Sequence, residues 1–285
     1  MSNSDIFSKI HLNYADFTKT ERKVADVILR DPQKVLYMSI TDLADACKVG
    51  DTSVFRFCKT LKFQGYQEFK MSLAQSITTD DEGVPILTGR ITTDDTLEAV
   101  AQKVLTTTVN ALNETYALIS PDQVKKAVDY MVAAQHIYFF GVGASLITAM
   151  EAKNKFMRIT PKVDCTIDSH LQAMQASLMC PQDLAVAISY SGSTKDVIRL
   201  AQLCRKARTK VICITRFAKS PLTSYSDLTL LCGANEGPLQ GGSLSAKISQ
   251  LYLLDVLYAE YFRRTFDISK VNKEKTASAV LDKLY

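Results

Sequence analysis

Apolar positions recur along this chain at two different periods. Up to about residue 75 they follow the three-to-four spacing of amphipathic helices, as in Ile6, Ile10, Leu12, Phe17, Val24, Val27 and Ile28. Thr18 and Thr20 are alternative N-caps for a helix through Lys23 to Leu29, which Asp31-Pro32 breaks. Ile40 to Cys47 predicts a second helix with Leu43, Ala44 and Cys47 inward. After a tight turn at Val49-Gly50, Thr52 to Leu61 predicts a third with Val54, Phe57, Cys58 and Leu61 inward. Phe63, Tyr66 and Phe69 close this core, and a further helix starts at Phe69.

The pattern then changes. Thr78 to Pro85 is polar, acidic and punctuated by Gly83 and Pro85, which marks a linker continuing to about Asp95. A long helix is expected over Thr96 to Leu118, and Ser120-Pro121 fits the N-cap and first position of another, ending near Ala134. Short apolar runs follow at Ile137–Phe140, Lys162–Thr166, Leu184–Ser189, Val211–Thr215 and Leu228–Cys232. Helical stretches to Arg158, over Ser169–Met179 and to Arg208 separate them, and a last large helix covers Ala246–Arg264. Strands alternating with helices imply a parallel sheet covered on both faces. The expected organisation is an all-α helix-turn-helix domain at 1–77, a linker at 78–95, and an α/β domain at 96–285 with a doubly wound, mainly parallel sheet.

Composition narrows the class only a little. Hydrophobic residues make up 47% of 285 residues, enough for packed cores. No apolar run is long enough to span a bilayer, and the polar start Met1 to Asp5 lacks a signal-peptide pattern, so a cytoplasmic protein without membrane contact is expected. The seven cysteines form no Cys-x-x-Cys or Cys/His cluster, so neither a metal nor a disulfide framework is expected, and Cys213 reads as core. No cofactor is expected.

The net charge of +4 neither requires nor excludes nucleic acid. Its distribution is more useful. Between residues 48 and 70, Lys48, Arg56, Lys59, Lys62 and Lys70 stand against Asp51 and Glu68, a local excess of three positive charges where a DNA reader needs it. In a helix-turn-helix the second helix enters the major groove. Here its outward positions are Thr52, Ser53, Phe55, Arg56 and Lys59. Arg56 suits a bidentate bond to guanine and Phe55 a thymine methyl. Lys48, Lys59 and Lys62 suit phosphates, and Asp51 is expected to cap the helix.

Two Ser/Gly loops each follow an apolar run and precede a helix. They are Gly141-Val-Gly143-Ala-Ser145 and Ser189-Tyr-Ser191-Gly192-Ser193-Thr194. Small residues let backbone approach a ligand closely, and free N–H groups with hydroxyls suit an anionic oxygen cluster such as phosphate. Neither loop is a dinucleotide fingerprint or a P-loop.

These motifs together resemble the RpiR family of bacterial transcriptional regulators, which join a helix-turn-helix domain to a sugar isomerase (SIS) domain. Thr20-Glu-Arg-Lys-Val-Ala25, Ile40-Thr-Asp-Leu-Ala44, Val54-Phe-Arg-Phe-Cys58, Phe63-Gln-Gly-Tyr66, Glu68-Phe-Lys70, Phe140-Gly-Val-Gly-Ala-Ser145 and Ile188-Ser-Tyr-Ser-Gly-Ser-Thr194 carry the resemblance. It implies phosphosugar sensing and oligomerisation, with Ser145 and Ser189 holding the phosphate, Ser191, Ser193 and Thr194 facing it, and Arg56 as the Arg of the recognition helix. Two departures stand out. Lys62 occupies a position where the family usually has Gly, and Ala246-Lys247-Ile-Ser-Gln250 carries Lys where the family has Arg, without its planar fork.

An isomerase would need an acid/base pair beside the sugar. Candidates are Glu151, Asp168, His170 and Glu236; His170 fits a ligand contact better than a catalyst, and His11 and His136 fit neither. The expected function is therefore a non-enzymatic transcriptional regulator. It binds operator DNA as a homodimer or homotetramer, and a phosphorylated sugar or sugar acid alters its operator affinity. The alternatives are a sugar-phosphate isomerase with an accessory helical domain, and a ligand-sensing module with a protein partner and no DNA.

Overall fold

The computed structural model describes residues 6–78, 91–234, 237 and 244–281. Most of the expected linker, the polar start and Glu236 lie outside the described residues. The chain divides into two compact units, Met1–Val109 with Asn235–Ser245, and Asn110–Ala234 with Ala246–Tyr285.

The first unit is helical: α1 (Ile6–Asn13), a 3-10 turn (Tyr14–Asp16), α2 (Lys19–Arg30), α3 (Pro32–Leu36), α4 (Ile40–Cys47), α5 (Asp51–Thr60), α6 (Tyr66–Thr78) and the start of α7 (Leu97–Leu118). Local chemistry sets the boundaries. Of the two candidate caps, Thr18 is the one used. Its hydroxyl accepts the Glu21 N–H while the Glu21 carboxylate accepts the Thr18 N–H, a capping box. Asp31-Pro32 ends α2 as expected and also starts α3, a short helix the apolar period does not reveal: Asp31 accepts the Lys34 N–H at 3.1 Å and proline takes the first turn. Ser39 and Asp42 form a second box at the start of α4. Phe57 centres the core, its ring 5.2 Å from Phe17 and 5.9 Å from Phe69. Helix α6 begins at Tyr66, one turn before the expected start.

The second unit continues with α8 (Pro121–Ala133), β1 (Ile137–Phe140), α9 (Ala144–Phe156), β2 (Val163–Asp164), α10 (Ser169–Leu178), β3 (Leu184–Ile188), α11 (Lys195–Lys206), β4 (Lys210–Thr215), a 3-10 turn (Thr223–Tyr225), β5 (Leu228–Leu231), α12 (Leu244–Arg264) and α13 (Phe266–Ser278). The five strands are all parallel, in the order β2-β1-β3-β4-β5. Ile137, Phe139, Val186 and Ile212 pack on α8, α9 and α12. Phe140, Ala185, Ala187 and Cys213 pack on α10 and α11. Burial on both faces explains why the strands read as continuous apolar runs.

The Lys162–Thr166 run shrinks to two residues. Asp164 accepts the Cys165 N–H and bonds Lys153 and Gln175, which turns the chain off the sheet edge. Helix α13 is amphipathic too weakly for its period to be seen in sequence.

Candidate nucleic-acid interface and ligand cradle

In the first unit, α4 ends with Lys48 in the left-handed region (φ 53°), and the Val49 N–H returns to the Ala44 carbonyl at 2.9 Å. Gly50 is the N-cap of α5, so the expected capping role of Asp51 is not realised. Asp51 is the first helical residue, and its carboxylate takes the Thr41 hydroxyl at 2.8 Å instead, tying the first turn of α5 to that of α4. With Val54, Phe57, Cys58 and Leu61 buried, α5 presents Thr52, Phe55, Arg56 and Lys59 to solvent and leaves Ser53 half-buried. The Lys59 Nζ sits 5.5 Å from the Phe55 ring centroid. Lys48 and Lys62 are exposed at the two ends of the segment.

Lys62 adopts φ 67°, and the Phe63 N–H reaches the Cys58 carbonyl at 2.9 Å. The helix thus ends in the left-handed cap that glycine favours, with lysine bearing the strain.

Lys70 departs from the charge pattern read in sequence. It is 6% exposed, and its ammonium donates to the Met38 carbonyl at 3.1 Å and the Leu36 carbonyl at 3.4 Å. Burial pushes its pKa down to about 8, against a smaller opposing effect of Asp42. This charge caps α3 and is unavailable to a phosphate.

Sequence reasoning also missed Glu21. This buried carboxylate accepts the Thr60 hydroxyl at 2.6 Å, joining the cap of α2 to the last residue of α5. Burial opposes its ionisation, but bonds from Thr60 and Thr18 and the charge of Arg56 outweigh that and lower its pKa. The motif Thr20-Glu21 was visible in sequence; its partner 39 residues away was not.

In the second unit, both Ser/Gly loops leave the carboxyl ends of neighbouring strands. β1 leads through α9 to β2 on one side, while β3 lies on the other side of β1. The sheet therefore reverses its winding between β1 and β3, the position where α/β sheets open a ligand crevice. Gly141 is held by close packing, since a Cβ there would lie 2.7 Å from the Ser145 carbonyl oxygen. Gly143 is the N-cap of α9 at φ 58°, with open space around a notional Cβ. Gly192 also has φ 58°, and its Cβ would fall 2.2 Å from the Ser220 Oγ.

The second loop is braced from β4. The Ser189 N–H donates to the Ile214 carbonyl, the Arg216 N–H to that of Tyr190, and the Leu222 N–H to that of Gly192. Within the loop, Ser191 Oγ accepts the Ser193 N–H, and Ser193 Oγ donates to the Ser191 carbonyl, both at 3.2 Å. Ser189 is buried with its Oγ 3.2 Å from the Thr194 Oγ1. Thr194 is the N-cap of α11 but makes no side-chain cap bond. Among the described residues the N–H groups of Lys195, Asp196 and Val197 have no protein acceptor. Ser145, in the first turn of α9, is half-buried.

His170 is exposed in the first turn of α10, where Asp168 caps the helix by accepting the Leu171 N–H at 2.9 Å. Two residues on, Gln172 is fully buried and donates to the Gly141 carbonyl at 3.0 Å, which brings this turn beside the β1 loop. Its Oε1 has no hydrogen-bond partner. No sequence signal had singled out Gln172.

Of the other acid/base candidates, Glu151 accepts from Asn154 on α9. His136, not a candidate, meets Asp183 at 3.0 Å at the opposite end of the sheet. His11 bonds the Phe7 carbonyl in the helical unit. All seven cysteines are free, and no metal-ligating group of three or more side chains occurs among the described residues. No helix there is long and apolar enough to cross a membrane.

Residues 4–80 match the helix-turn-helix domain of the rpiR family, and residues 130–260 match the SIS domain. An uncharacterised HTH-type transcriptional regulator of Haemophilus influenzae is 36% identical over 279 residues, covering 98% of this chain and 97% of its own. The HTH-type transcriptional regulator HexR of Pseudomonas aeruginosa is 36% identical over 253 residues, covering 89% and 87%. The Vibrio vulnificus NanR protein, solved in complex with ManNAc-6P, superposes with a TM-score of 0.86 at 31% identity, over 98% of this chain and 99% of NanR. With a helix-turn-helix and two Ser/Gly loops at the β1/β3 switch point, these likenesses make the chain a member of the RpiR family of HTH-type transcriptional regulators, a helix-turn-helix domain joined to a SIS domain.

Proposed function

We propose that this regulator senses a phosphorylated sugar or sugar acid in its SIS domain and that the bound effector changes its affinity for operator DNA. The observation that carries the proposal is the crevice between β1 and β3. In this reading Ser145, Ser189, Ser191, Ser193 and Thr194 turn hydroxyls to the ligand and Gly143 and Gly192 allow its close approach; the Ser189–Thr194 contact and the uncapped N–H groups of α11 support it. The ManNAc-6P found in NanR supports this ligand class. His170, exposed in the first turn of α10, contacts the sugar in this reading rather than transferring protons, since among the described residues no carboxylate is bonded to it.

In the first domain, assigned to 1–77 ahead of a linker at 78–95 and the sensing domain at 96–285, α5 enters the major groove. Arg56 and Phe55 face base edges, Thr52 and Ser53 the near backbone, and Lys48, Lys59 and Lys62 the phosphates. Such readers bind two-fold operators, so the active species is a homodimer or a tetramer built from dimers, acting in the cytoplasm where the DNA is. The effector acts only through differential affinity for two arrangements of the DNA-binding domains.

A mobility-shift titration on DNA flanking the gene, with a panel of sugar phosphates, tests this. Specific retardation altered by one compound supports it. Retardation that no sugar phosphate alters would remove the sensing role.

A further inference from the structure

Helix α5 is held at both ends by a hydroxyl on a carboxylate. At its start, Asp51 takes the Thr41 hydroxyl of α4 at 2.8 Å. At its end, the Thr60 hydroxyl donates to Glu21 Oε1 of α2 at 2.6 Å. The second oxygen of Glu21 belongs to the cap of its own helix, accepting the Thr18 hydroxyl at 2.7 Å and the Thr18 N–H at 2.9 Å. Between its two ends α5 is packed through Val54, Phe57 and Cys58. Apolar packing is non-directional and leaves a helix some freedom to turn or slide. The two directional bonds restrict that freedom.

The bond at the far end also has a neighbour of opposite charge. Thr60 follows Arg56 by four residues, one turn along the same face of α5. Glu21 is 8% exposed. Burial disfavours its charge, and the bonds from Thr60 and Thr18 together with the positive charge of Arg56 outweigh that. Capping alone does not call for this charge, because glutamine completes the same box without placing an ion in the interior. A carboxylate gains a purpose where a cationic side chain on the reading face has to be oriented.

We propose that Glu21 is a positioning residue for base reading: through Thr60 it fixes the rotation of α5, and through its charge it orients the Arg56 guanidinium toward the base edges. The inference rests on the operator-reading function proposed above. It adds to that reading a residue of α2, outside the helix-turn-helix pair, which itself meets no base. A lysine on a phosphate tolerates a small rotation of the helix, whereas a bidentate Arg–guanine pair does not. Loss of the anchor therefore lowers discrimination between sequences more than it lowers general affinity for DNA.

Thr60→Val in the full chain tests this, since Thr60 is exposed and the change removes the hydroxyl while keeping the size of the side chain. Mobility shifts on a fragment that the parent retards specifically, and on a random duplex of equal length, give a discrimination ratio. Thr60→Val should lower that ratio about tenfold, much of the worth of one Arg–guanine pair, with circular dichroism unchanged. Thr60→Ser, which keeps the hydroxyl, should restore it. In an Arg56→Ala background Thr60→Val should have no further effect on the ratio, whereas a bond that only stabilises the fold would act alike in both backgrounds. An unchanged ratio in a folded Thr60→Val chain, equal losses with and without Arg56, or failure of Thr60→Ser to restore the ratio would overturn the proposal. The two ideas fail separately. A parent that discriminates no better than its Thr60→Val variant counts against Glu21 alone, and a parent that retards no fragment specifically removes operator reading and this role with it.

Discussion

The hydroxyl of Ser189, at the exit of β3, stands 3.2 Å from that of Thr194, the N-cap of α11. Thr194 makes no side-chain bond to the helix it caps. Uncapped N–H groups at a helix start favour an anion, and they underlie the phosphate site proposed above.

Removing the Ser145 and Ser189 hydroxyls together should abolish the effector response and leave operator binding intact. Hydrogen bonds to a charged group contribute about 1.5–3 kcal/mol each, so the double alanine variant should bind sugar phosphates about 100-fold more weakly or worse. Calorimetric titration checks this, and an unchanged affinity would remove the crevice from consideration.

Arg56→Ala should weaken operator binding by about 1–3 kcal/mol and relax preference at one base pair. Loss that is uniform across all sequences would instead make Arg56 a phosphate contact. No loss at all would make it a partner of Glu21 only.

Lys62→Gly should move stability and DNA binding in opposite directions. Glycine relieves the left-handed strain at φ 67°, raising stability by up to about 1 kcal/mol, although its looser unfolded chain offsets part of the gain. Operator affinity should fall, with the slope of log affinity against log salt lower by roughly 1. A melting curve and a salt series read the two effects separately, and an unaltered salt slope would show that Lys62 meets no phosphate.

Lys70 should make the first domain's stability pH-dependent in the alkaline range. Its folded pKa of about 8 lies below the unfolded value of roughly 10.4, so between these pH values the unfolded chain holds more protons. Stability contributed by this group therefore rises with pH across that window and is lost as pH falls through about 8. Burial raises the pKa of Tyr66 and Cys58, which work in the opposite direction, so the informative quantity is the difference between parent and Lys70→Met. That difference should move in favour of the parent by on the order of 3 kcal/mol from below pH 8 to above pH 10. A flat difference in urea denaturation would place the amine in water.

The sequence by itself determined what depends on neighbours along the chain. Apolar period specified α4 and α5 through Leu43, Val54 and Phe57. Continuous apolar runs specified β1, β3 and β4, and Ser120-Pro121 specified the start of α8. It also placed both Ser/Gly loops at strand ends, because small and hydroxylated residues there have few other uses. What it left open depends on partners far away in the chain. Thr18 and Thr20 were alternative caps for α2 and Asp51 the expected cap of α5, yet Glu21 completes the box of Thr18 and Thr41 claims Asp51. Lys70 counted as a surface charge until two carbonyls, 32 and 34 residues away, enclosed it. Glu21 met Thr60, and Gln172 met Gly141, across similar gaps. The crevice between β1 and β3 exists only once strand order is fixed, since a switch point belongs to the sheet and to no single segment. Local propensity acts over one or two turns, whereas burial and hydrogen-bond satisfaction are settled by whatever the fold brings within about 3 Å.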